Sequence, residues 1–307
     1  MSADSLDEYP YCLDERNTSE ENRRRYWAVA IGLQKVDGLE VSPYLEGLSH
    51  SYICGKQTLE QTGGLLREHY GLSTTSAQGS TAASEGTDIH TREADLVSFR
   101  IAELLETGSF FLAPAMLQHI HAKLFQDLDP ETFRPGVFKS DRLVKQEEIL
   151  NGDSVLYADP SMIDLSLSYL FREESAHGRG IELSGADLED FCRFIAHVWQ
   201  VHPFVEGNTR TIAVFSELYL NSLGFGVDND PFADHSRYYR DALVRANYRN
   251  PAGKIMPDLA YLVRFYDNLI NNAGHELKRS ELLCPALFDD PSLLKNIDPA
   301  EALNKRA

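Results

Sequence analysis

Apolar residues recur at three- and four-residue steps along most of the chain, with short polar breaks between the periodic stretches, and this is the pattern of amphipathic helices packed on one another. The spacing predicts a first helix over 23–36, a second over 43–55 opened by Ser42-Pro43, and a third over 58–71 opened by Thr58 with Glu60 and Gln61 behind it. Trp27, Ile31, Leu45, Leu48, Ile53, Leu59, Leu65 and Leu66 give this unit one apolar face. It is too small to be stable alone and requires a partner surface. Residues 73–88 contain no large apolar side chain and cannot bury enough surface to offset the entropy of ordering them, so they read as a linker.

The helical rhythm resumes over 94–106, with Leu96, Phe99, Ile101, Leu104 and Leu105, and over 113–126, with Met116, Leu117, Ile120, Leu124 and Phe125. From about 133 to 162 it is broken by Pro135-Gly136, Asn151-Gly152 and Asp159-Pro160, which enclose the β-prone run Ser154, Val155, Leu156, Tyr157. An excursion folded as a hairpin is expected there. Further helices are predicted over 162–174, over 183–201 with a capping box from Ser184 and Asp187, over 209–222 ahead of Gly224, over 234–248 and over 257–272. The acidic stretch after about residue 286 reads as peripheral.

Composition narrows the function classes. The 307 residues are 43% hydrophobic and 25% charged, as in an ordinary globular protein, and 29 basic against 47 acidic side chains leave a net charge of −18. That charge disfavours nucleic acid and anionic membranes as partners. Cys12, Cys54, Cys192 and Cys284 are far apart and lack C-x-x-C spacing, so neither a zinc site nor a disulfide framework is expected. With no apolar run near the ~20 residues of a membrane span and no basic-then-apolar signal at the N-terminus, a cytoplasmic location is expected.

The candidate chemistry lies in "HPFVEGNTRT", residues 202–211, between two helices that read as buried. Asn208 suits the N-cap of the following helix, so that the amides around Gly207, Asn208, Thr209 and Arg210 face the loop. Unsatisfied donors and the helix dipole together make such a start an anion site. Arg210 adds a forked cation suited to phosphate, Glu206 is an oxygen ligand of the kind Mg²⁺ takes beside phosphates, and His202 can accept a proton near neutral pH. These parts describe chemistry at a phosphoryl centre.

The stretch resembles the signature of the Fic (Fido) family, His-Pro-Phe-x-(Asp/Glu)-Gly-Asn-Gly-Arg-x-x-Arg, at His202, Pro203, Phe204, Glu206, Gly207, Asn208 and Arg210. The resemblance implies an all-α fold: a Fic core over 94–273 with a short β-hairpin flap at Ser154, Val155, Leu156 and Tyr157 that docks a target. It further implies transfer of AMP from ATP, with Mg²⁺ held by Glu206, to a Ser, Thr or Tyr hydroxyl of a target protein. His202 then deprotonates the hydroxyl, Phe204 anchors the loop, residues 207–209 form the anion hole and Arg210 grips the β-phosphate. Asn247 and Tyr248, following the signature, are placed at the base pocket. Two positions depart from the pattern: Thr209 replaces the second glycine and Ala213 the second arginine. A different nucleotide or phospho-group, a slower reaction, or nucleotide binding without turnover therefore stay open, as does a homo-oligomer.

Residues 22–72 resemble the small helical antitoxins that silence Fic toxins, between an N-terminal extension (1–21) and a linker (73–93); residues 274–307 form the tail. The antitoxin motif, Ser/Thr-x-x-x-Glu-Gly/Asn, aligns with Leu33, Asp37 and Gly38, so Asp37 and Gly38 are candidate inhibitory residues. A second, more literal match ends at Glu85 and Gly86 inside the linker, which makes Glu85 another candidate.

Overall fold

The periodic segments fold as helices. The computed structural model describes residues 19–72, 88–226 and 231–295, so Glu85, most of the expected linker and both chain ends lie outside the described residues. In chain order the helices are α1 (Glu20–Gly32), α2 (Pro43–Ile53), α3 (Leu59–His69), α4 (Ile89–Thr107), α5 (Pro114–Phe125), α6 (Pro130–Phe133), α7 (Ile163–His177), α8 (Gly185–Val201), α9 (Asn208–Ser222), α10 (Pro231–Asn247), α11 (Ala260–Asn271) and α12 (Pro285–Asp289). The predicted starts of α2 and α3 are real: Ser42 Oγ accepts from Leu45 N, and Thr58 and Gln61 cap each other reciprocally. The helix expected from 94 begins earlier, at Ile89, capped by Asp88.

The N-terminal unit finds its partner surface in α4 and α10, against which α1 packs, and its buried side chains join those of the later helices in one continuous core. Trp27 is buried with ring contacts to Tyr52 and Phe99. Asp95, fully buried on α4, accepts from Ser42 N (2.8 Å), from the Ser42 hydroxyl and from the Tyr70 hydroxyl (2.7 Å), tying α2 and α3 to the core. Where α1 meets α10 the chains touch: a Cβ on Gly32 would stand 2.4 Å from the Ala233 carbonyl oxygen. After α1 a 3-10 turn, Leu33–Asp37, ends at Gly38 in the left-handed region (φ 74°) and lies against α9 and α10.

Three expectations are corrected. Among the described residues there is no strand, only an isolated bridge between Asn250 and Ile255, so the β-hairpin flap at Ser154–Tyr157 is not formed. Residues 145–157 do fold back, with Glu147 N donating to Asp153 O (3.0 Å), but side chains replace a ladder. Lys145 N donates to Ser154 Oγ, Val155 and Tyr157 are buried, and Leu156 stands out in solvent. The apolar alternation of that run is thus satisfied by core packing. The Ser184 side chain makes no cap hydrogen bond, because Gly185 at φ 55° breaks the helical entry that a capping box needs. The stretch after 286 is not peripheral as far as residue 295: Leu287 and Leu294 are buried, Asn151 Nδ2 donates to Leu287 O (2.7 Å), and Asn250 Nδ2 donates to Leu293 O (2.7 Å).

Candidate active site

The loop from α8 to α9 is held from three sides. His202 ends α8 in the left-handed region (φ 49°), which reverses the chain. Phe204, fully buried, stacks on His121 at 3.8 Å. The Asn208 side chain accepts from Phe204 N and donates to Phe204 O, both at 2.9 Å, and so closes the loop on itself. Asn208 is therefore the first helical residue and not the N-cap; the N-cap is Gly207, at φ 76°. The amides of Asn208, Thr209 and Arg210 open α9 and have no carbonyl of their own helix to bond. The Gly207 amide, expected to serve an anion, donates instead to Glu206 Oε1 (3.0 Å).

Thr209 fits where the signature has glycine. Its φ is not positive, and its hydroxyl accepts from Trp199 Nε1 at 3.0 Å, so the extra side chain is bound to α8. Ala213 is fully buried on α9.

His121, read from the sequence only as part of a core helix, positions this loop. Its Nε2 lies 3.0 Å from the Glu206 carbonyl oxygen, and its Nδ1 accepts from Gly136 N (2.9 Å), so the ring is neutral with the proton on Nε2. Burial outweighs the pull of that carbonyl and brings its pKa from 6.5 down to about 4. Between these values the unfolded chain binds a proton that the folded imidazole excludes, so stability is full above pH 6.5 and is lost as pH falls toward 4. The expected loss across this window is about 3 kcal/mol. Denaturant titrations at pH 7 and pH 5 read it, and a His121→Gln variant should show a flatter dependence.

His202 is 4% exposed, stacked on Tyr157 at 3.9 Å and edge-on to Trp199, and its Nδ1 is buried without a hydrogen-bond partner. Burial, then the nearby charges of Lys145 and Lys139, hold its pKa well below 6.5, so the imidazole is neutral at physiological pH. Tyr157, predicted as a flap residue, is thus brought to the site, but by stacking.

Arg210 is almost wholly buried and already occupied. Its Nη2 pairs with Glu93 Oε1 at 2.7 Å, its Nη1 donates to Gln34 Oε1 at 3.2 Å, and its Nε lies 3.0 Å from Asp37 Oδ2. Its guanidinium also stands over the Phe125 ring, 5.0 Å from the centroid. Burial alone would raise the Asp37 carboxyl, but Arg210, Lys145 and Arg240 outweigh it and hold the pKa below 3.8. Lys145 Nζ lies 3.1 Å from Glu206 Oε1 and 4.0 Å from Asp37 Oδ1, while Arg240 pairs with the buried Glu147 at 2.7 Å. Neither Lys145 nor Arg240, nor Glu93, carries a mark in the sequence that assigns it to the site.

Two adjoining spaces result. Around His202, Glu206, Gly207, Asn208 and Thr209 there is a pocket of only about 10 Å³, roughly room for one water. Beside it lies a cavity of about 1040 Å³ whose wall includes Asp37, Gly38, Glu93 and Arg210. Asp37, Lys145, Glu147, Glu206 and Arg240 belong to both walls. Asn247 and Tyr248 line neither: the Asn247 amide donates to Ala196 O and Leu243 O, and the Tyr248 hydroxyl donates to Asp153 Oδ2.

Residues 111–220 match the family model of the Fic/DOC family. This stretch is a Fic-family domain. It runs from the start of α5 through the loop at 145–157 and the His202 loop to the end of α9, while α1, α2 and α3 lie outside it. No curated protein and no solved structure matches the chain significantly. Proteins of the Fic family are generally transferases. Among the described residues no helix is long and apolar enough to cross a membrane.

Proposed function

We propose that the protein is a Fic-type adenylyltransferase that moves AMP from ATP to a Ser, Thr or Tyr hydroxyl of a target protein. The observation that carries this reading is the shared pocket of a neutral His202 and the open amides at the start of α9. In the reaction the hydroxyl oxygen attacks the α-phosphorus, the neutral imidazole of His202 takes the hydroxyl proton, and the bond to the departing pyrophosphate breaks. Amides at the start of α9 stabilise the oxygens that gain charge. Mg²⁺ typically takes one or two carboxylates plus phosphate oxygens, and the Glu206 carboxylate on the wall of both spaces is a donor of that kind. Glu206 would hold it, and the ion would neutralise charge on the phosphates. The pocket beside His202 holds only about 10 Å³, and Asp37, which lines it and pairs with Arg210, is on this reading the residue that closes the site.

Asp37 does so on Arg210, not on the absent second arginine that the antitoxin resemblance implies as its partner. Because its carboxyl is held below 3.8, protonation does not release it at physiological pH. Displacement of the 3-10 turn Leu33–Asp37 does. The test is intact-mass analysis after incubation with Mg²⁺ and each of ATP, GTP, CTP and UTP. An Asp37→Ala variant is expected to label itself with AMP at least about tenfold faster than the unaltered chain, since one buried charged pair is worth about 1.4 kcal/mol or more.

A second reading, a Fic-fold regulator that binds a nucleotide without turnover, is favoured by Arg210, whose Nη1 and Nη2 are already taken by Gln34 and Glu93, and by the buried Ala213. Binding without a mass gain in either protein supports it. A gain of phosphate alone indicates transfer of a different phospho-group.

A further inference from the structure

A histidine base is ordinarily aimed by a hydrogen bond on its other ring nitrogen. His202 lacks one at Nδ1, which is buried without a partner. Its orientation rests instead on two rings: Tyr157, stacked with 3.9 Å between centroids, and Trp199, edge-on at 5.6 Å. Tyr157 and Trp199 also meet each other edge-on at 5.7 Å, so the three rings form one cluster. Trp199 holds His202 through the main chain as well, its carbonyl accepting from His202 N (3.0 Å).

What fixes Trp199 is Thr209. The indole is 1% exposed, and its Nε1 donates to the Thr209 hydroxyl at 3.0 Å. A buried N–H without an acceptor is costly, so the indole is held where that bond is made. The bond ties the last turn of α8 to the first turn of α9 across the His202 loop. The glycine that the Fic signature has at this position offers no side-chain acceptor. Thr209 and Trp199 are thus a matched pair, and His202 shares the wall of the small pocket with both.

We infer that Thr209 is a positioning residue: through its hydrogen bond to Trp199 it fixes the orientation of the His202 imidazole. That this imidazole then acts as a base rests on the adenylyltransferase reading; the ring packing does not. Without the hydroxyl the indole N–H must swing to reach water, its edge withdraws from His202, and the imidazole is free to turn and to be hydrated. The charged groups around it stay in place: Lys139 and Lys145 from the segment between α6 and α7, Arg240 from α10, and Asp37, Glu147 and Glu206 on the pocket wall. Only burial changes, so the His202 pKa, held well below 6.5, should rise toward that value.

The test compares Thr209→Val, which keeps the shape of threonine but cannot accept, with Thr209→Ser, which keeps the acceptor, and Trp199→Phe, which keeps an aromatic edge but has no N–H. Imidazole NMR of the full chain, with the His202 signal assigned by its loss in His202→Ala, reads the proton affinity. Thr209→Val and Trp199→Phe should each raise it at least about threefold, and Thr209→Ser should restore the parent value. The double variant should go no further than Trp199→Phe alone, because both changes break the same bond. Indole emission, with the Trp27 contribution taken from Trp199→Phe, should shift in Thr209→Val and not in Thr209→Ser. Self-labelling with AMP at pH 7 should slow at least about tenfold in Thr209→Val with the KM for ATP unchanged, since the change misplaces the base and not the nucleotide. Thermal melts within a few degrees of one another confirm that each variant is folded. An unchanged His202 titration in Thr209→Val, or effects that add in the double variant, overturns the assignment. The expected titration and emission changes without AMP transfer by any form of the chain keep the role of Thr209 and remove the adenylyltransferase reading. AMP transfer that Thr209→Val leaves within about threefold of the parent does the reverse.

Discussion

Replacement of His202 by alanine is expected to slow target modification by about 10²–10⁴-fold, the usual contribution of a positioned general base, with nucleotide affinity unchanged. The site gives the imidazole no other task. Burial, Lys145 and Lys139 keep it neutral, so it contributes no charge to anion binding. Its Nδ1 is buried and unbonded, a cost of about 1–3 kcal/mol that alanine removes. The lost stacking on Tyr157 acts in the opposite direction, so the fold should change in stability by only about 1 kcal/mol. Rates from intact-mass time courses, run beside calorimetry and thermal melts, separate the two effects; a variant within threefold of the parent rate removes His202 from the chemistry. The same burial sets the pH profile. Because burial, Lys145 and Lys139 all disfavour imidazolium, the rate should be flat through neutrality and decline only below the ordinary histidine pKa of 6.5.

The helices were legible because periodicity and caps are local: Ser42-Pro43 and Thr58 with Gln61 open α2 and α3 as their residue types require. That the loop gathers its polar residues was legible for the same reason, since His202, Glu206, Gly207 and Thr209 are neighbours in sequence and meet in one pocket. What failed was decided by distant partners. The β-prone run at Ser154–Tyr157 is claimed by the core and by His202 before a ladder can form. Asn208 has the side chain of an N-cap but spends it on Phe204, because the loop must close over His121. Asn247 and Tyr248 were placed by order along the chain, and order does not say which face of α10 turns inward. His121 had a signal: it falls on the apolar stripe of Leu117, Leu124 and Phe125, where a histidine needs bonds to both nitrogens. Glu93, Lys145 and Arg240 had none, as a charged residue on a helix or loop reads as solvated until its partner is known. Asp37 was legible as a candidate, but its partner was not.

Gly207→Ala should slow transfer by roughly 10²-fold, by moving the amides rather than the base. At φ 76° an L-residue is strained by about 1–2 kcal/mol. The larger obstacle is Phe125, whose ring atoms would lie 2.2 and 2.3 Å from the new Cβ, far inside contact distance. Phe125 is itself fully buried, stacked on Phe133 and beneath the Arg210 guanidinium, so it has nowhere to swing. The overpacking adds about 1–3 kcal/mol, and the start of α9 must shift to relieve it. A displacement of about 1 Å at donors aimed at a reacting phosphate costs roughly 10²-fold in rate. Gly38→Ala is the matched control: it has almost the same φ, 74°, but its Cβ would meet only the Arg237 guanidinium at 3.7 Å. Melting temperatures should therefore drop much further for Gly207→Ala than for Gly38→Ala, with transfer slowed only in the former. Equal drops would mean that backbone strain, and not the seat of α9 on Phe125, is what requires glycine in the loop.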